Sequence, residues 1–117
     1  MWEAVLASER PYLPAAGDMP VVVLTSSATS SAGEQLVVAF QGRPLTRTVG
    51  SVTAGSPQSL IALRMADGAL LRMPTATPVD RVGTHYSGNV IPDDIVADGD
   101  AAVDAAVQWL QDQPGCS

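Results

Sequence analysis

Residues 21–40 read VVVLTSSATSSAGEQLVVAF, and they decide the fold of this chain. The run Val21–Thr25 is rich in β-branched residues and predicts a strand that is covered on both faces. A turn of serine and threonine residues follows, and residues 33–40 then have the apolar spacing of a helix. The apolar stripe of this helix consists of Leu36, Val37 and Phe40. Residues 45–50 alternate as in a strand, so the order strand, helix, strand predicts a parallel crossover unit.

The turn before the helix supports two interpretations of its serines. Ser31 and Glu34 have the spacing of a capping box, in which the serine begins the helix and the glutamate folds back onto it. A serine at a helix N-terminus also lies beside outward-pointing N–H groups, which can stabilise an oxyanion. Ser31 therefore also has the placement of a nucleophile. The residues alone favour the structural cap, because a serine nucleophile needs a base as well.

The rest of the chain predicts a hairpin and a closing helix. The segments LIALRM and ALLRM flank Asp67-Gly68, a strong hairpin signal. After an extended, turn-rich segment, a final helix is expected to open near Asp98–Asp104 and to end near Gln113. Its apolar stripe is formed by Val103, Val107 and Leu110. Near the N-terminus, Trp2–Leu6 is expected to form a short helix or the end of one.

The composition argues against several classes of function. The chain has 117 residues, enough for one domain, and a net charge of −6, which argues against nucleic-acid binding. No apolar run approaches the length of a membrane span, about 20 residues, and the first residues do not read as a signal peptide. The single cysteine, Cys116, cannot form an internal disulfide or a cysteine-built zinc site. The acidic last third lacks the ligand spacing of a calcium loop and is expected to be a solvated, helix-capping face.

Five segments, taken in order, resemble the catalytic core of the C-terminal processing (tail-specific) serine proteases. The strand, turn and helix of that family, with a turn ending in Ser-Ala-x-Glu, are similar to PVVVLTSSATSSAGEQLVVAFQGR. The next four segments are similar to TRTVGSVTAGSPQS, LIALRMADGALLRMPTATPVDRVG, YSGNVIPDDIV and DAAVDAAVQWL. The resemblance implies an α/β fold with a crotonase- and ClpP-like β-β-α core. This chain would have the C-terminal half of that core, with a β-hairpin and a closing C-terminal helix.

The resemblance also implies boundaries and site residues. Residues 1–117 are expected to form a single domain, with a leading segment at 1–19, the matched core at 20–112 and a tail at 113–117. Ser31 is implied to be the catalytic nucleophile, and the N–H of Ala32 is implied to donate to the oxyanion. The loop of Gly55 and Ser56 is implied to border the substrate. The substrate would be a peptide or a protein, and neither a cofactor nor a metal is implied.

Two departures from the family pattern leave the activity open. The best-known members use a lysine as general base where this chain has Ser56, and the chain contains no lysine. The lysine-free branch, common in high-GC bacteria, takes a histidine from an N-terminal half, whereas the only histidine here is His85. His85 is expected to be a surface or hairpin-packing residue, and its use as the general base is the less favoured alternative. Relatives are often extracytoplasmic, but the chain itself does not assign a cellular location.

Three functions follow as alternatives. The chain is a serine peptidase when missing parts complete it, or an inactive binding or structural module. In the third alternative it is a half-enzyme that assembles with a partner chain or with itself. Because half of a core leaves apolar surface uncovered, we expect a homo-oligomer or a completing partner chain.

Overall fold

The structure is a computed structural model, and it describes residue 15 and residues 17–116. The helix expected at Trp2–Leu6 and most of the leading segment lie outside the described residues. The elements of the described part are β1 (Val21–Thr25), α1 (Ala32–Phe40), β2 (Thr46–Gly50), β3 (Ser59–Arg64), β4 (Leu70–Ala76), β5 (Asp94–Ile95) and α2 (Asp100–Gln111). This order confirms the mixed α/β class.

The predicted parallel crossover is confirmed. β1 pairs in parallel with β2, from Val21 opposite Thr46 to Thr25 opposite Gly50. β5 pairs in parallel with the other edge of β2, so the strand order is β1-β2-β5. The full cover expected for β1 is wrong, since Leu24 is 47% exposed and the three valines before it are only half-buried. The reason is that β1 is an edge strand of a small sheet, which two short helices cover only in part.

α1 buries only part of its predicted apolar stripe, since Val37 lies in the core and Phe40 is half-buried. Val37 and Val38 are fully buried and form the core cluster with Val90 from the segment before β5. Leu36, which belongs to the predicted stripe, is instead 59% exposed. The helix has only nine residues, so a stripe drawn from three apolar positions does not define which side faces the sheet.

α2 shows the same kind of deviation. Its buried residues are Ala102 and Ala106, whereas Val103 and Val107 of the predicted stripe remain exposed. The helix packs against β1 and β2. Small alanine side chains allow a helix to lie close to a sheet, and the larger valines then remain on the outside. Among the described residues, no helix has the length and hydrophobicity needed to cross a membrane.

Acidic residues also hold β5 against β2, a contact that the expected solvated, helix-capping face did not include. Asp94 accepts two hydrogen bonds from the Arg47 guanidinium, at 2.7 and 2.8 Å. These bonds to Arg47 lower the pKa of the Asp94 carboxyl. The Asp93 carboxylate accepts from both the N–H and the hydroxyl of Thr48. Two of the acidic side chains therefore stabilise the third strand of the sheet.

The predicted hairpin is confirmed, and its strands extend beyond the two segments that flank the turn. β3 and β4 pair antiparallel, from Ser59 opposite Ala76 to Arg64 opposite Leu70. At the turn, Asp67 accepts a hydrogen bond from the N–H of Ala69 at 3.0 Å. All side chains of residues 60–77 are exposed, so the hairpin stands away from the core of the described structure.

Candidate functional site

Ser31 lies where the sequence predicts it, immediately before α1 and after the turn of residues 26–31, here called the hydroxyl turn. β1 ends at Thr25, and the helix begins at Ala32. Ser31 is exposed and has φ 52° and ψ −115°. A positive φ is uncommon for a residue with a Cβ atom, and such strain persists where the surrounding structure imposes it. Nucleophilic serines are displayed on strained strand-to-helix turns of this kind.

The first N–H groups of α1 follow directly on the hydroxyl turn. Within the described part of the chain, the N–H of Ala32 has no hydrogen-bond partner. The N–H of Gly33 donates to Ser30 O, and that of Gln35 donates to Ser31 O, both at 3.0 Å. Ala32 is exposed. An outward N–H at the positive end of a helix is the type of donor that an oxyanion requires.

Glu34 connects this turn to the loop of residues 53–56, here called the 53–56 loop. Its side chain is fully buried, and each carboxylate oxygen accepts two hydrogen bonds. Oε1 accepts from the Thr53 hydroxyl at 2.5 Å and from the Gly55 N–H at 2.7 Å. Oε2 accepts from the Ser56 N–H at 2.8 Å and from the Ser31 N–H at 2.9 Å. The bond to Ser31 is one half of the predicted capping box.

These hydrogen bonds keep the buried carboxylate charged. Burial by itself raises the pKa of Glu34, because it removes the charged form from water. The bonds from Thr53, Gly55, Ser56 and Ser31 outweigh that effect, so the pKa of Glu34 lies below its usual value. The structure therefore has a fixed negative charge beneath the start of α1, with four donors directed at it.

The 53–56 loop has its own restraints. Gly55 has φ 93°, and a Cβ atom there would lie 2.9 Å from Nδ2 of Asn89. The Ala54 N–H donates to the carbonyl of Thr29 in the hydroxyl turn at 2.9 Å. Ser56 is exposed. The structure therefore brings the loop of Gly55 and Ser56 beside the turn of Ser31 and Ala32.

Other hydroxyls of the turn have structural partners. The Thr29 hydroxyl accepts from the Ser26 N–H at 3.0 Å, and the Ser26 hydroxyl accepts from the Ala28 N–H at 3.2 Å. Ser27 donates to Asp98 at 3.4 Å. These bonds close the turn on itself and connect it to the start of α2. Among the serines of the turn, Ser31 alone has the strained backbone.

A shallow cavity of about 250 Å³ borders the hydroxyl turn. Its walls come from the end of β1, the turn and the start of α2, and they consist of Leu24, Thr25, Ser26, Thr29, Asp98, Gly99, Ala102 and Val103. Leu24, Ala102 and Val103 give it an apolar side, and the hydroxyls and Asp98 give it a polar rim.

His85 is exposed, as expected for a surface histidine. Its backbone forms an antiparallel bridge with Val79. Its ring makes no hydrogen bond with any residue in the described ranges. The neighbouring turn is organised by Asp80, which accepts from the Tyr86 hydroxyl at 2.9 Å. Burial and this bond to Asp80 raise the pKa of Tyr86 to about 12.

Comparisons with known proteins agree with the resemblance seen in the sequence. The model of peptidase family S41 matches residues 4–97. A nisin-resistance protein of Lactococcus lactis subsp. lactis is 30% identical over 94 residues, which are 80% of this chain and 29% of that protein. The structure of a lipoprotein from Streptococcus agalactiae has a TM-score of 0.67 at 27% identity, covering 79% of this chain and 31% of that one.

A further similar structure, from Parabacteroides merdae, shows the shared fold alone. Its TM-score is 0.65 at 24% identity, and the match covers 78% of this chain and 31% of that one. The chain thus spans between 29% and 31% of the length of these three relatives.

The sequence did not predict the central place of Glu34. Its capping-box position pointed to a local bond with Ser31, whereas three of its four donors come from residues 53–56. The segment TRTVGSVTAGSPQS, which contains these donors, resembles a family segment, but spacing along the chain does not show which side chain receives them.

Proposed function

The chain belongs to peptidase family S41, and from this premise we propose that it carries the nucleophile and oxyanion site of a serine peptidase. In this proposal, Ser31 Oγ attacks a peptide carbonyl carbon while a general base accepts the hydroxyl proton. The Ala32 N–H stabilises the oxyanion, the amine leaves with a proton, and water hydrolyses the acyl-enzyme. The observation that supports it best is the strained conformation of Ser31 beside the Ala32 N–H, which has no acceptor among the described residues.

The general base is proposed to come from polypeptide outside these 117 residues. The chain contains no lysine, and its only histidine is exposed with no polar partner for its ring among the described residues. A base must come within about 3 Å of the hydroxyl to remove its proton. We therefore expect this chain alone to hydrolyse peptides very slowly.

The test is labelling with a fluorophosphonate, which reacts with serine hydroxyls, followed by peptide mapping of the folded chain. We expect slow modification that is centred on Ser31, disappears in Ser31→Ala and persists in Ser26→Ala. His85→Ala should label as the wild type does. If Ser31 reacts no faster in the folded chain than after denaturation, the alternative is correct: a module of this family that has the fold without the chemistry.

A further inference from the structure

The Glu34 carboxylate is the only side chain of the described core that is charged and 0% exposed. Within the described ranges, the one ion pair joins Arg47 and Asp94, so no cation compensates the charge of Glu34. A buried charge of this kind is costly unless hydrogen bonds replace the lost water. All four donors come from the two segments that contain the predicted site residues. A helix cap would need only the bond from the Ser31 N–H.

The arrangement of the donors holds two separate segments at a short distance. Oε2 accepts from both the Ser31 N–H and the Ser56 N–H, so these two nitrogens lie within about 6 Å of each other. Oε1 in the same way joins the Thr53 hydroxyl and the Gly55 N–H. The carboxylate thus determines where the turn of the nucleophile stands relative to the 53–56 loop.

Thr53 extends this arrangement toward the core. Its hydroxyl donates to Glu34 and accepts from the Val90 N–H at 2.8 Å. The Thr53 N–H donates to the Val90 carbonyl at 3.1 Å, so the N–H and the hydroxyl of Thr53 both bond to the backbone of Val90. Val90 is fully buried in the core cluster with Val37 and Val38. Thr53 therefore connects the carboxylate to the buried core cluster.

We propose that Glu34 is a positioning residue, whose carboxylate keeps the hydroxyl of Ser31 and the N–H of Ala32 directed at the same substrate carbonyl. It acts by holding the strained Ser31 backbone and by fixing the 53–56 loop opposite to it. Glu34 does not touch the substrate. The inference rests on the proposed function for its chemical consequence, but the geometry can be tested without it.

The first measurement is independent of any reactivity. In amide-resolved NMR of the ¹⁵N-labelled chain, the N–H signals of Ser31, Gly55 and Ser56 should titrate together with one midpoint below 4.5, the usual value for glutamate. Glu34→Gln should abolish this shared titration and speed hydrogen exchange at the three amides. Asp104→Asn, at an exposed carboxylate, is the matched control and should change neither.

The pH dependence of stability has a definite sign. The pKa of Glu34 is lower in the folded chain than in the unfolded one, so its contribution to stability is present above the unfolded value. That contribution is lost as the pH falls through the lowered folded value. Glu34→Gln should therefore be less stable than wild type at neutral pH, with the difference decreasing in acid.

The second measurement is the fluorophosphonate rate at Ser31, corrected for the folded fraction. Glu34→Gln should lower the maximal labelling rate about 10-fold or more, with little change in the probe concentration needed for half-saturation. Thr53→Val should also lower it, whereas Thr53→Ser, which retains the hydroxyl, should restore it. A merely structural role would lower the melting temperature and leave the rate of the folded molecules unchanged.

The outcomes separate the two proposals. If Ser31 labels in the wild type and the folded Glu34→Gln variant labels equally fast, Glu34 is not a positioning residue. If Ser31 never labels, the proposed function fails, and the NMR measurement decides about Glu34. The positioning role would then be overturned if the three amide signals titrated with different midpoints or did not titrate at all. Should Glu34→Gln not fold, the pair Thr53→Val and Thr53→Ser provides the same comparison.

Discussion

At the scale of single residues, the site depends on backbone conformations that few side chains tolerate. Ser31 adopts a positive φ although it has a Cβ atom, and Gly55 adopts one on the opposite side of the Glu34 carboxylate. Gly50 is a third case, at the end of β2, with φ 136°. It lies opposite Thr25, the last residue before the hydroxyl turn. The direction in which the chain enters the turn therefore depends on a close approach between two backbones.

Gly50→Ala should destabilise the chain severely. A Cβ atom at this position would lie 2.0 Å from the carbonyl oxygen of Thr25, and a backbone atom cannot move aside as a flexible side chain can. Because this clash adds to the strain of a positive φ at alanine, we expect a loss of about 3 kcal/mol or more in the free energy of unfolding, measured by urea denaturation.

Gly88→Ala is the control for this substitution. A Cβ atom at Gly88 would have open space around it. Its unfolding free energy should be unchanged or raised by up to about 1 kcal/mol, because alanine restricts the unfolded chain. Equal stabilities of the two variants would show that the strand ends are not as close as the structure indicates.

At the scale of elements, the short strand β5 is held by side chains as much as by its backbone. It has only two residues, and Asp93 and Asp94 bind Thr48 and Arg47 of β2. Thr48 is 1% exposed. Its hydroxyl donates to the Asp93 carboxylate and accepts from the Asp93 N–H, both at 2.9 Å. The bonds of one buried threonine thus connect the sheet to the segment that carries Val90.

Thr48→Val should weaken this connection without changing the volume of the core. The valine cannot accept from the Asp93 N–H or donate to its carboxylate, so we expect a loss of about 1–3 kcal/mol in the free energy of unfolding. Thr77→Val is the matched control, because Thr77 is exposed and its hydroxyl has no partner among the described residues. If chemical denaturation shows the same loss for both, the bonds at Thr48 contribute nothing of their own.

The elements also show which features a sequence can predict. The strand, turn and helix around Ser31 depend on neighbours within a few positions, and their order and limits agree with the structure. The predicted buried side of α2 does not agree with the structure, because contact with β1 and β2 selects Ala102 and Ala106 over the larger valines. The hydrogen bonds of Glu34 to the 53–56 loop span 19 to 22 positions, so no local pattern reports them.

At the scale of the whole molecule, the hairpin has the longest run of exposed residues in the described structure, residues 60–77. The strand register puts Ile61 opposite Met73 and Leu63 opposite Leu71. Because side chains alternate along a strand, these four share one face of the hairpin. All four are exposed, each by 38% to 43%. The opposite face carries Leu60 and Leu70, each 57% exposed, but also the charged Arg64 and Arg72.

An isolated two-stranded hairpin is marginally stable in water, so an apolar face of this kind needs a partner surface. We therefore expect the 117-residue chain to associate with itself through the face of Ile61, Leu63, Leu71 and Met73. Light scattering should give a mass above the 12.1 kDa of one chain at micromolar concentration, and this mass should fall on dilution.

The double variant Leu63→Thr, Leu71→Thr tests whether this face is responsible. Threonine retains the preference for strands while it removes the apolar pair, so the variant should be monomeric at concentrations where the wild type is not. Ala62→Thr, on the opposite face of the same strand, is the control and should associate as the wild type does. A wild-type chain that is a monodisperse monomer of 12.1 kDa and unfolds cooperatively would contradict the expectation, since the hairpin would then be stable without a partner.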